Sequence, residues 1–150
     1  MSLGRSLLDT AVFIYAVGTD HPLRSPCRRV FEGMLQQEFP AEASVLAVQE
    51  VLHQRARRTG DRGAARRFAA DLTQVCVLHD VTLDDLRLSL RLWDDAPALD
   101  AADAVHAAVA ISNGIPVIIS PDEAFDQVAG LARISPAAAA DRLGQDGAAT

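Results

Sequence analysis

Strands alternating with helices along the whole chain predict an α/β fold, a three-layer α/β/α sandwich around a central, mainly parallel sheet. Three observations carry this expectation. Short β-rich or apolar runs at Ser6–Leu8, 75–78 and 115–119 are separated by longer stretches of helical spacing. Caps and breakers punctuate those stretches where helices should start and stop. With 150 residues, 49% of them hydrophobic, the chain has enough apolar material for one core.

The first run ends in Asp9-Thr10, and Val12, Phe13, Ala16 and Val17 follow at helical spacing. His21-Pro22 breaks that helix, and residues 23–37 resume as an amphipathic helix with Val30, Met34 and Leu35 on one side. A short strand is expected near 41–43. Ser44 then caps a helix carrying Leu46, Val48, Val51 and Leu52, which ends in Arg55, Arg57 and Arg58 before Gly60. A second arginine-rich helix covers 63–74, and 75–78 reads as a buried strand. Thr82 to Asp85 resembles a capping box opening a helix whose inner stripe is Leu86, Leu90 and Trp93. An alanine-rich helix over 100–113 stops at Gly114, the strand 115–119 follows, and Ser120 to Glu123 reads as a capping box for a short helix. Phe31 and Phe68 fall on apolar stripes and are expected in the core. One domain over 1–140 with a flexible C-terminal tail over 141–150 is the expected organisation.

The net charge of −6 argues against a protein that coats nucleic acid by bulk electrostatics. All 14 basic residues are arginine. Cys27 and Cys76 stand alone and suggest neither a disulfide framework nor a thiolate zinc site. The N-terminal apolar run is interrupted by Asp9 and does not read as a signal peptide, and no stretch is long enough to span a membrane; a cytoplasmic protein is expected.

The carboxylates fall in related places. Asp9 follows the first strand and Asp122 follows the strand 115–119, so both should project towards one crevice at the carboxyl ends of the sheet. Asp103 lies in the first turn of the intervening helix, and Glu50 sits on an otherwise apolar helix, where a carboxylate is costly without a partner. Converging acids repel one another unless a cation sits between them. Hard oxygen ligands of this kind suit Mg²⁺, Mn²⁺ or Ca²⁺ and suit zinc poorly. Helix capping explains the same residues singly: Asp9 at the first helix, Asp100 with Asp103 at the alanine-rich one, and Asp122 in a first turn.

The stretches Leu7-Leu8-Asp9-Thr10-Ala11-Val12-Phe13, Val48-Gln49-Glu50-Val51-Leu52-His53, Asp103-Ala104-Val105-His106-Ala107-Ala108 and Ser120-Pro121-Asp122-Glu123-Ala124-Phe125 resemble, in order and separation, the acidic motifs of PIN domains. His21-Pro22-Leu23-Arg24 is further similar to bacterial VapC toxins. The resemblance runs from Leu7 to about Pro136. It implies a Mg²⁺- or Mn²⁺-dependent endoribonuclease acting on single-stranded RNA, a homodimer, and inhibition by a cognate antitoxin protein. It places the catalytic and metal-binding quartet on Asp9, Glu50, Asp103 and Asp122. Ala11 departs from the family, which often has Asn or Ser there, so water or Thr10 must substitute. Asp100 and Asp126 are extra acids near the motifs, and the arginines from Arg55 to Arg67 are candidates for a rim that grips phosphates. Phospho-acceptor domains and haloacid-dehalogenase-like phosphatases also place an aspartate after the first strand, but both rely on a lysine that this chain lacks. The remaining alternative is a degenerate PIN domain that binds RNA or a protein partner without cleaving.

Overall fold

The computed structural model describes residues 2–148. Five parallel strands form one sheet in the order β3-β2-β1-β4-β5: β1 Ser6–Leu8, β2 Ala41–Ser44, β3 Val77–His79, β4 Val117–Ile119 and β5 Ala132–Ile134. The helices are α1 Thr10–Val17, α2 Arg24–Leu35, α3 Val45–Thr59, α4 Arg62–Val75, α5 Leu83–Asp95, α6 Ala101–Ser112 and α7 Pro136–Ala148. A 3₁₀ turn, Glu123–Gln127, lies between β4 and β5.

Alternation along each strand divides the core in two. Leu8, Ala43 and Ile119 pack with α1, α2, α3, α4 and α7, whereas Leu7 and Ile118 pack with α5 and α6. The expected three layers therefore form, and the alanines of α6 (Ala104, Ala107, Ala108, Ala110), all buried, let that helix lie close to the sheet. None of the helices among the described residues is long and apolar enough to cross a membrane.

Local signals hold where they rest on backbone chemistry. The Ser44 hydroxyl accepts the Ala47 N–H, Gly60 ends α3 with a φ of 69°, and Thr82 with Asp85 forms the capping box of α5. At Gly18, which ends α1, a Cβ would come within 2.9 Å of the Ile14 carbonyl oxygen, so only glycine fits.

Four expectations are corrected. The strand placed at 75–78 is not buried: Val75 ends α4, and β3 lies at the sheet edge with Val77 58% exposed. On α5 the buried residues are Asp85, Ser89 and Leu92, while Leu86, Leu90 and Trp93 are 46%, 60% and 50% exposed. The inner stripe lies on another side of the helix than the sequence predicts. Of the segment 141–150 expected as a tail, residues 141–148 continue α7, which carries the buried Leu143 against Gly33 of α2 and into the core, while 149–150 lie outside the described residues. Finally, Ser120 and Glu123 do not form the expected capping box; Asp122 caps the turn through the Ala124 N–H at 2.9 Å. Phe31 and Phe68 pack against the first core, half-buried.

Candidate metal centre

The strand order sets where a ligand can bind. From β1 the chain crosses to β2 and β3 on one side and later to β4 and β5 on the other, so the carboxyl ends of β1 and β4 diverge around a crevice. Asp9 is the first residue beyond β1, anchored by its N–H to the Ile119 carbonyl of β4 at 3.1 Å. Although Asp9 occupies the N-cap position of α1, its side chain makes no capping bond. It is 5% exposed, and its Oδ2 accepts the Ser120 hydroxyl at 2.6 Å. Burial raises the Asp9 pKa, with the Ser120 bond acting against that rise.

Asp103 arrives from the opposite layer. Its backbone N–H is capped by Asp100 Oδ1 at 2.8 Å, and its own carboxyl lines the cleft in company with that of Asp122. Asp9, Asp103 and Asp122 line one cleft of about 500 Å³ together with Thr10, Ala11 and Tyr15. Burial, followed by the charges of Asp9, Asp100 and Asp122, raises the Asp103 pKa from 3.8 to about 8. A first-turn position should act the other way, but the helix dipole supplies only about 0.3–1 kcal/mol, less than one pKa unit. Burial in the cleft, reinforced by the neighbouring like charges, wins.

Glu50 stands beside this cleft rather than in its lining. The Thr10 hydroxyl donates to Glu50 Oε1 at 2.8 Å, and His106 Nε2 lies 2.7 Å from the same oxygen. Burial alone would raise the Glu50 pKa, but the His106 hydrogen bond and charge and the Thr10 bond outweigh it, and the net shift is downward. The other His106 nitrogen, Nδ1, lies 2.8 Å from the Ser44 hydroxyl, which also accepts the Ala47 N–H. One proton assignment satisfies every group: Ser44 donates to Nδ1, and Nε2–H donates to Glu50. His106, 1% exposed, thus ties the start of α3 to α6 and fixes one glutamate oxygen.

The four acids foreseen in the sequence therefore divide into three in the cleft and one at its flank. One ligand atom each from Asp9, Asp103 and His106 lie within 4.8 Å of one another. Three partners are not singled out by sequence reasoning. His106 lies one turn after Asp103 inside the third acidic motif, where it could touch the site but packing is the expected role, Ser44 reads only as a cap, and Ser120 reads as half of a capping box; a polar residue at the carboxyl end of a strand beside an acid is the available signal for the two serines. Of the extra acids, Asp100 is a cap, and Asp126 is held by Arg133 at 3.0 and 3.1 Å, away from the cleft. Cys27 and Cys76 are free and buried, and burial pushes both thiols up to about 12, which leaves them unreactive.

The donor set tests well against a divalent cation. It offers hard carboxylate oxygens, and a cation would offset the burial and the like-charge repulsion that raise the Asp103 pKa.

Known proteins are similar to this chain in sequence and in fold. The PIN domain family profile matches residues 6–131. Ribonuclease VapC7 of Mycobacterium tuberculosis is 34% identical over 134 residues, 89% of this chain and 92% of that protein. Ribonuclease VapC23 of the same species is 33% identical over 100 residues, 67% of this chain and 64% of that protein. Among solved structures, M. tuberculosis VapC20, described as a sarcin-ricin loop cleaving toxin, superposes with a TM-score of 0.69 at 20% identity, covering 84% of this chain and 96% of that one. VapBC2 from Rickettsia felis, bound to a promoter DNA fragment, gives 0.68 at 13% identity, covering 89% and 98%. With its fold, its acidic cleft and these relatives in agreement, the chain belongs to the PIN-domain family, with the VapC ribonucleases among its relatives.

Proposed function

We propose that this protein is a Mg²⁺- or Mn²⁺-dependent endoribonuclease that cleaves single-stranded RNA and serves as the toxin of a toxin–antitoxin pair. The observation that carries this reading is the convergence of Asp9, Asp103 and Asp122 on one cleft, with Glu50 held at its flank. Asp9 and Asp103, with Asp122 and Glu50, would hold the cation. When bound, a divalent ion supplies an activated water and stabilises the charge that builds on the phosphate. The Ser120 hydroxyl orients Asp9, and Thr10 with His106 orients Glu50, so the carboxylates are placed before substrate arrives. Thr10 also supplies the polar group that Ala11 lacks.

The partners in this proposal are the RNA substrate, a cognate antitoxin and a second copy of the chain, in the cytoplasm. An arginine of the antitoxin, binding the carboxylates bidentately, would compete with the cation for the cleft.

Cleavage of a single-stranded RNA with Mg²⁺ or Mn²⁺, stopped by EDTA, is the expected result. Asp9→Asn and Asp103→Asn each lower the rate at least about 10²-fold, the lower end of what a catalytic charge-stabilising group supplies. Full activity in either variant would show the site misplaced. Tight RNA binding with no cleavage at any metal concentration would point to a degenerate PIN domain instead.

A further inference from the structure

Beside the acidic cleft lies a second pocket of about 340 Å³, and Ile14 and Tyr15 line both. Its volume lies within the range of ligand sites, roughly 300–1,000 Å³. Its chemistry is opposite in sign. Arg55 and Arg58, a turn apart on α3, line it, with Asp20 as the one acid in its wall. Among the described residues neither arginine forms an ion pair with a carboxylate. Its aromatic wall is Tyr15 stacked with His21, ring centroids 4.6 Å apart and planes tilted by 31°. The His21 ring is exposed yet held in place, because its Nδ1 accepts the Leu23 N–H at 3.1 Å. Gln54 also lines the pocket, and its Oε1 has no hydrogen-bond partner.

Arginines near the end of a helix are explained in part by the helix dipole. That explanation leaves out the fixed ring pair and the unpartnered amide. Single-stranded RNA needs both elements found here: cations for its phosphates, and flat faces on which unstacked bases can lie.

We propose that this pocket is a nucleotide subsite for an RNA strand whose scissile phosphate lies at Asp9 and Asp103. One base stacks on the exposed face of His21, which Tyr15 backs, and the flanking phosphate is held by Arg55 and Arg58. The proposal rests on the ribonuclease reading and names the part of the protein that positions the strand.

The test measures binding of a short, labelled oligoribonucleotide of mixed sequence by fluorescence anisotropy, in Ca²⁺ with strand integrity checked on a gel. His21→Ala weakens binding by about 10-fold, within the usual worth of one base–aromatic stack. His21→Phe, which keeps a ring against Tyr15 but gives up the Nδ1 bond to the Leu23 N–H, recovers most of that loss by the same stacking argument. Arg58→Ala weakens binding and reduces the slope of log affinity against log salt by about 0.7, the value for one phosphate of a single strand. Mn²⁺ binding without RNA stays unchanged in all three. Equal losses in His21→Phe and His21→Ala would overturn the stacking role, and an unchanged affinity and slope in Arg58→Ala would overturn the phosphate role. If the parent binds Mn²⁺ but neither binds nor cleaves RNA, the ribonuclease reading falls and the subsite with it. Cleavage by the parent and all variants alike would overturn the subsite alone.

Discussion

Asp103 has the side chain whose environment most directly reports the state of the cleft. Its carboxyl would titrate near 3.8 in an open chain and at about 8 in the folded, metal-free protein, because it is buried beside Asp9, Asp100 and Asp122. The folded state thus binds this proton more tightly than the unfolded state. That contribution to stability is complete below about pH 4 and is lost as pH rises through about 8. Metal-free protein should therefore lose stability across this window, and Asp103→Asn should remove the loss. At pH 8 the variant should be the more stable by about 1 kcal/mol to a few kcal/mol, a range already discounted for partial solvent access. Denaturant melts in EDTA at both ends of the window check this, and a variant less stable at pH 8 would contradict it. His106 gives a second test at this scale. Glutamine keeps an N–H donor at the reach of Nε2, whereas asparagine reaches only as far as Nδ1. His106→Asn should weaken Mn²⁺ binding by about 10-fold or more, as loss of a group that orients a metal ligand does, while His106→Gln stays close to the parent. Isothermal titration distinguishes the two, and equal losses would reduce His106 to a packing role.

At the level of elements, α5 has apolar residues on more than one side. Leu83, Leu86, Leu90 and Trp93 face outward, while Leu92 packs with Ala96 and Leu99 in the second core. The buried side also carries Asp85 and Ser89, whose polar groups are engaged: Asp85 accepts the Ser112 hydroxyl and the Thr82 N–H, and the Ser89 hydroxyl donates to the Leu86 carbonyl. A polar residue inside and leucines outside invert the usual pattern, and this is why spacing alone selected the wrong side. The two sides differ in what truncation costs. Leu92→Ala should lower unfolding free energy by about 2–5 kcal/mol, and Leu90→Ala in dilute protein should change it by no more than about 0.5 kcal/mol. Urea melts at low protein concentration check this, and equal costs would show that the outward side is covered. Glu42 provides another buried polar group. It lies in β2 with its carboxylate gripped by Arg5 through two bonds of 2.8 Å and by His79 at 2.8 Å, which together hold its pKa below the usual range.

Across the whole molecule, the acids of the cleft belong to a chain of net charge −6, so a bound cation should relieve both local and general repulsion. Mg²⁺ or Mn²⁺ should raise the melting temperature in a concentration-dependent way, EDTA should reverse the rise, and Asp9→Asn should flatten it. The same competition governs the proposed antitoxin. Excess Mg²⁺ should weaken the complex measurably, and Asp9→Ala should lose affinity for the partner. A native-cell pull-down at low Mg²⁺ that recovers no small partner, with overexpression harmless, would contradict the toxin reading.

The sequence by itself determined the alternation of strands and helices, the parallel sheet, and the caps at Ser44, Asp100 and Thr82. Each of these depends on neighbours within a turn or a strand, where periodicity and backbone hydrogen bonding leave few options. It also placed Asp9 and Asp122 at strand ends that a parallel sheet must bring to one edge. The tertiary structure decided what lies between distant segments. It joined Ser120 to Asp9 across 111 residues, and His106 to Ser44 and Glu50 across 62 and 56. It left β3 at an exposed edge, turned Leu90 and Trp93 outward, and extended α7 so that Leu143 closes the core beside Gly33. β5, the strand after Gly130 that spacing did not foresee, forms because β4 offers it an edge. A single side chain can serve as a cap, a core residue or an orienting group, and which role it takes depends on the partner that packing brings within hydrogen-bond reach.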